Sequence, residues 1–279
     1  MPTAQSNGIE VYYEEQGSGD PLLLIMGLAG DSIAWMFQRE AFAARYRTIV
    51  FDNRGVGRTS KPAGPYTIAQ MAADAVGVLD ALDIADAHVV GVSMGGMIAQ
   101  ELALRHPQRV RGLVLGCTYA RPDSGVTATF DESLAFFGGT KGPNGEIQVD
   151  LSNLDPMAFI GRLLPLTFSP QFIMTELPKL MQVFSGVMQH GFDLGAIMAQ
   201  VAATQAHDTV DRLEQINAPT LVLTGDSDQL IPPSNSDVIA ARIPGAQLKK
   251  LPGGSHGFNF ETPEAFNAAV LEFLDSCRS

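Results

Sequence analysis

The chain has 279 residues, of which 46% are hydrophobic and 17% charged, and its formal net charge is −12. That supplies ample core for one α/β domain with an insertion. So acidic a balance argues against nucleic acid or an anionic membrane surface as partner, and no apolar run approaches a membrane span. The opening MPTAQSNGIE lacks the basic and apolar regions of a secretion signal. Cys117 sits in an apolar run and Cys277 close to the end, which suggests no disulfide framework and fits a reducing cytoplasm. No CxxC or His-rich spacing suggests a metal, and no cofactor is expected.

In chain order, Ile9–Gln16 (IEVYYEEQ) is rich in β-formers and reads as part of an antiparallel hairpin or an edge strand. Pro21–Met26 is continuously apolar, as a strand buried on both faces of a parallel sheet should be. It ends in Gly27-Leu28-Ala29-Gly30, after which Asp31 or Ser32 is expected to cap a helix reaching Arg45. Arg47–Phe51 is the next strand. Its loop, Asp52-Asn53-Arg54-Gly55-Val56-Gly57, has only a G-x-G spacing and no P-loop lysine, so it is no phosphate cradle; Asp52 and Arg54 are expected to pair as ions. Apolar residues at helical spacing from Ile68 to Leu82 predict a helix from Thr67 to Leu82.

The chain is organised around what comes next, Ala87–Gln100 (AHVVGVSMGGMIAQ). An apolar run ends at Ser93 and a helical pattern starts at once, so Gly91-Val92-Ser93-Met94-Gly95 fits G-x-S-x-G, the strand-to-helix turn called a nucleophile elbow. The bland alternative is a serine capping an ordinary helix. Val110–Cys117 is another buried strand. Repeated strand–helix alternation implies right-handed crossovers and a parallel sheet. In such sheets ligands bind outside the carboxyl ends of the strands, where Gly27, Asp52 and Ser93 all fall.

The alternation then breaks. From about Tyr119 to Asn217 no strand is convincing, and methionine and phenylalanine accumulate after a glycine-rich loop over Gly138–Gly145. This reads as a helical insertion whose inner face is both core and the ceiling of an apolar pocket. Pro219–Gly225, Ser234–Arg242 and Gln247–Leu251 restore the strand–helix–strand pattern. Thr262-Pro263-Glu264 opens a last helix.

A serine nucleophile needs a base and a carboxylate to orient it. Of five histidines, His88 and His106 sit in structural positions, and His190 and His207 fall in the insertion as possible pocket residues. Only His256 lies in a glycine-rich loop just past a strand. Asp226 and Asp228 both follow a strand; Asp228 is the better acid, and Asp226 is expected to tie down its own loop's N–H groups or to stay solvated. The order Ser…Asp…His fits this architecture.

Gly91–Gly96, the Asp52-Asn53-Arg54-Gly55 loop, Gly225–Pro233 and Gly253–Phe258 together resemble the α/β-hydrolase fold family, over nearly the whole chain outside the insertion. Within it the chain is most similar to small carboxylesterases, 3-oxoadipate enol-lactonases and proteins labelled cofactor-free haloperoxidases. The resemblance implies an α/β fold with a mostly parallel eight-stranded sheet flanked by helices. It places a helical cap between strands six and seven (120–217), inserted in a core of 1–119 and 218–279. It also implies a Ser93–His256–Asp228 triad and an oxyanion hole from the backbone N–H groups of Leu28 and Met94. Where many members have His-Gly, this chain has Met26-Gly27. The expected activity is acyl transfer from a small-molecule ester or lactone to water. Met26, Gly27, Trp35 and Phe258 are expected near the pocket mouth, with Trp35 and Phe258 equally readable as core, and Arg121 or Arg162 could supply local positive charge. Rival readings are C–C bond hydrolysis or perhydrolysis by the same triad, and ligand sensing with a vestigial one. The sequence leaves the oligomeric state open.

Overall fold

In a computed structural model, described here for residues 2–136, 139–142, 147–148, 150 and 156–277, the chain builds one eight-stranded sheet. Its strands are β1 (Thr3–Ser6), β2 (Ile9–Gln16), β3 (Pro21–Ile25), β4 (Arg47–Phe51), β5 (Ala87–Val92), β6 (Val110–Gly116), β7 (Thr220–Gly225) and β8 (Gln247–Leu251). The spatial order is β1-β2-β4-β3-β5-β6-β7-β8. β1 and β2 form an antiparallel hairpin, β2 joins β4 antiparallel, and every later pairing is parallel. The hairpin turns at Asn7-Gly8, both at positive φ. That is a two-residue turn chemistry that matches strand twist.

Strand side chains alternate between two cores. Leu23, Ile25 and Val89 enter one with α2 (Ile68–Ala81), α3 (Met94–Arg105) and α8 (Ser234–Arg242); Leu22, Leu24 and Val90 enter the other with α1 (Arg39–Ala43), the short α9 (Phe258–Glu261) and α10 (Pro263–Ser276). Burial on both faces explains why β3 and β5 read as unbroken apolar runs. Thr67 caps α2 by accepting the Gln70 N–H.

Between β6 and β7 lies a helical cap: α4 (Ser124–Phe136), α5 (Pro156–Thr167), α6 (Pro170–Gln189) and α7 (Leu194–Gln205). A two-residue antiparallel pair, Thr140–Lys141 with Ile147–Gln148, adds strand where none was expected. Part of the glycine-rich stretch 138–145 lies outside the described residues.

Two local expectations are corrected. Asp31 does cap a helix, but the segment divides into a 3-10 turn (Ser32–Trp35) and the short α1. Gln38, fully buried between them, donates through Nε2 to the Asn259 carbonyl and anchors the break. Asp52 and Arg54 take different partners. Arg54 clamps Asp74 through Nε and Nη2, at 2.5 and 2.7 Å, while Asp52 accepts the N–H groups of Ser32 and Arg58 and the Arg58 guanidinium. No helix among the described residues is long and apolar enough to cross a membrane.

Candidate active site

Ser93 joins β5 to α3 with φ 56° and ψ −123°, a conformation costly for any residue with a Cβ. The turn persists because its surroundings over-determine it. The Ser93 N–H donates to the Gly116 carbonyl at 2.8 Å, and the Ser93 carbonyl accepts Thr118 Oγ1 at 2.8 Å and the Gly96 N–H at 2.9 Å. The glycines two before and two after are obligatory by contact. A Cβ on Gly91 would lie 2.2 Å from the Gly95 carbonyl oxygen, and one on Gly95 2.0 Å from that of Ile25. Packing this close brings the N-terminus of α3 directly against the end of β3.

At the end of β7, Asp228 is buried and its two oxygens have separate tasks. Oδ1 accepts the N–H groups of Leu230 and Ile231, each at 2.9 Å, and Oδ2 faces His256 Nδ1 at 2.8 Å. His256 follows β8 in a loop whose neighbours bind the cap: the Gly257 N–H and Ser255 Oγ both donate to the Thr167 carbonyl, and Glu261 accepts the Ser169 and Ser255 N–H groups. With Nδ1 engaged by the carboxylate, Nε2 is the nitrogen left for proton transfer. Asp226 is exposed and accepts the Gly253 N–H and Ser227 Oγ, tying down its own loop.

The loop after β3 passes over the serine; a Cβ on Gly27 would lie 3.0 Å from Ser93 Cβ. Three anchors shape it. Asn53 Nδ2 donates to the Met26 carbonyl at 2.9 Å, Asp52 holds the Ser32 N–H, and Gln200 of the cap accepts the N–H of Ala29, itself at φ 59°. The loop of Asp52-Asn53-Arg54 is therefore a brace for the loop of Leu28.

Two apolar cavities meet at Ser93. One, of about 130 Å³, is lined by Met94, Met97, Tyr119, Val126, Phe130 and Leu134 among others. The other, of about 220 Å³, is lined by Met26, Gly27, Cys117, Val183, Phe184 and His256 among others. Leu28, Ser93, Leu163 and Leu230 border both. The site thus sets the Ser93 hydroxyl and the Asp228-oriented His256 imidazole against apolar walls.

The family model described as the alpha/beta hydrolase fold matches residues 20–263. The chain belongs to this family. It is 33% identical over 274 residues to RutD of Azorhizobium caulinodans, described as a candidate carbamate hydrolase, covering 98% of each protein. Among solved structures it is similar to the enol-lactonase of Burkholderia xenovorans LB400 (28% identity, 98% and 100% of the two chains, TM-score 0.83). It is also similar to Est816, described as an N-acyl homoserine lactone degrading enzyme (31% identity, 98% and 100%, TM-score 0.82).

Within this α/β-hydrolase frame, several expected residues sit elsewhere. Trp35 and Phe258 are fully buried in the core beneath the sheet and border neither cavity. Their chain neighbours Ala34, Gly257 and Asn259 do border the larger cavity, while the Phe258 ring meets that of Phe266 edge-on at 5.4 Å. His190 binds Asp31 at 2.7 Å, and His207 is buried beside Thr209, so neither lines the cavities. Arg121 pairs with Asp208, and Arg162 with Glu132. Asp31 is buried, which pushes its carboxyl up against the pull of His190, with nearby Asp52 adding to the rise.

Sequence reading missed Gln200, Asn53 and Cys117. Gln200 had a signal, as an amide among Ile197, Val201 and Ala203 on the buried face of α7. Cys117 borders the larger cavity, but burial and then the Asp228 charge push its thiol up, so it stays protonated and inert.

Proposed function

We propose that this α/β hydrolase is a serine hydrolase of carboxylic esters or lactones with small to medium apolar groups, working through an acyl-enzyme. The observation that carries this reading is the buried His256–Asp228 hydrogen bond of 2.8 Å beside an apolar cavity that also borders Ser93. Neutral His256 takes the Ser93 proton through Nε2 as Oγ attacks the acyl carbon, and Asp228 steadies the imidazolium through Nδ1. The N–H groups of Leu28 and Met94 receive the oxyanion, the second backed by the α3 N-terminus. His256 then protonates the leaving oxygen, and a water follows the same route to release the acid. The names of the relatives support attack at an acyl carbon in general: a carbamate in one, lactones in the others.

The test is turnover of p-nitrophenyl butyrate by the wild-type chain and by Ser93→Ala. Loss of the serine is expected to lower kcat by about 10⁶. A variant within tenfold of wild type would refute the serine mechanism.

A further inference from the structure

The two cavities that meet at Ser93 differ in size, in chemistry and in what they offer a reacting ester. Resting on the ester-hydrolase reading above, we infer that the substrate is an uncharged ester whose acyl group enters the smaller cavity and whose bulkier apolar leaving group enters the larger one.

The side is decided by the proton. When the Oγ–acyl bond forms and the bond from acyl carbon to leaving oxygen breaks, the proton taken from Oγ passes from His256 Nε2 to that oxygen. In the second half, water gives a proton to His256 and its hydroxyl to the acyl carbon; Oγ then regains the proton and the acid leaves. The leaving oxygen must therefore lie against the imidazole, and His256 lines only the larger cavity. The acyl chain is left with the space beneath α4 and α7, beyond Met94.

Size follows from volume. A dry cavity of about 150 Å³ holds a benzene ring. The acyl cavity, about 130 Å³, thus takes about five or six carbons, and the leaving-group cavity, about 220 Å³, takes an aryl group or larger.

Charge follows from the lining. Among the described residues, no Lys, Arg, Asp or Glu borders either cavity. Arg121 pairs with Asp208, Arg162 lies 3.8 Å from Glu132, and neither arginine borders a cavity. Four lining hydroxyls are spent: Ser133 donates to the Thr129 carbonyl, Tyr119 to that of Thr204, Thr204 to that of Val201 and Thr167 to that of Leu163. The polar groups of Thr129 and Gln205 in the smaller cavity and of Asn259 in the larger are neutral and offer no countercharge. A substrate carboxylate buried there would find no cation among the described residues, and an unpaired buried charge is strongly disfavoured. The net charge of −12 repels it before entry.

The experiment measures kcat/KM on matched esters. Phenyl butyrate is expected to exceed phenyl hemisuccinate, the same leaving group with a terminal carboxylate, by at least a hundredfold; equal values would overturn the charge assignment. The p-nitrophenyl series is expected to fall at least tenfold between hexanoate and decanoate, and a flat profile would overturn the size assignment. Ser133→Phe, narrowing the smaller cavity, is expected to lower the hexanoate-to-acetate ratio at least tenfold. Val187→Phe, narrowing the larger, should instead lower the phenyl-to-methyl leaving-group ratio. Ratios that move the other way round would overturn the assignment of sides. Met198→Ala widens the smaller cavity without adding bulk and should move the acyl optimum to longer chains; an unmoved optimum would count against it. Inactivity on every ester, or activity that survives Ser93→Ala, would strike the ester-hydrolase reading itself, whereas Ser93-dependent turnover with the wrong ratios strikes only this inference.

Discussion

Gln200, on a cap helix, accepts the backbone N–H of Ala29 at 3.1 Å while its own Nε2 donates to the Arg54 carbonyl at 2.8 Å. One fully buried amide thus ties the cap to the loop carrying Leu28 and to the loop that braces it. Gln200→Leu strands a buried donor and a buried acceptor, each costing about 1–3 kcal/mol. It should also loosen the Leu28 N–H. Shifts of this kind cost up to about 10² in rate, so kcat should fall by about one to two orders of magnitude with a smaller change in KM. Gln200→Glu keeps the acceptor and loses the donor, and steady-state kinetics should place it between the two.

Asp228 and Asp226 differ by two positions and should differ greatly in effect. In Asp228→Asn the amide N–H₂ facing His256 Nδ1 forces the tautomer in which Nε2 already carries a proton. Such a change costs about 10⁴ in kcat in a serine protease triad. Asp226→Asn keeps an acceptor for the Gly253 N–H and should stay within a few-fold of wild type. Parallel kcat measurements on the two variants check this.

The backbone of Ser93 makes a prediction about stability. At φ 56° and ψ −123° the Cβ is a strain that glycine lacks. Ser93→Gly should therefore be more stable than Ser93→Ala by about 1 kcal/mol, or about 2–4 °C in Tm. Thermal unfolding of the two inactive variants isolates the strain from catalysis.

His207 makes stability depend on pH. Burial holds its imidazole at about 4, down from 6.5, with Arg212 assisting and Glu101 opposing. Between those values the unfolded chain binds the proton and the folded chain does not, so this contribution to stability is present above pH 6.5 and lost as pH falls toward 4. The full span is worth about 3 kcal/mol. Urea unfolding at pH 7 and pH 4.5 should show a shallower loss in His207→Gln than in wild type.

The frame and the positions of Ser93, Asp228 and His256 within it were largely legible in the sequence, because each rests on a short local pattern. β3 and β5 announced burial on both faces by unbroken apolar runs, and the glycines at 91 and 95 announced a turn that permits no Cβ. Asp228 and His256 could be placed by chain order and by the strands before them. Partnerships across the fold were not legible. Arg54 chose Asp74, twenty residues on, over its neighbour Asp52, because α2 packs beneath the loop. Trp35 and Phe258 could be read from sequence as pocket or as core, and only the packing decides: both join the core cluster that α10 completes. The role of Gln200 is a contact over 171 residues, beyond any local pattern.

His256, the proposed base, sits in a loop sewn to the cap rather than standing free of it. Gly257 and Ser255 both donate to the Thr167 carbonyl at the end of α5, and Glu261 accepts from Ser169 at the start of α6. Exchanging the cap for that of a relative would therefore disturb the seat of the proposed general base together with the walls of the cavities. Chimeras aimed at new substrates should carry the segment 253–261 along with the cap, and swaps that leave it behind should lose turnover on old and new substrates alike.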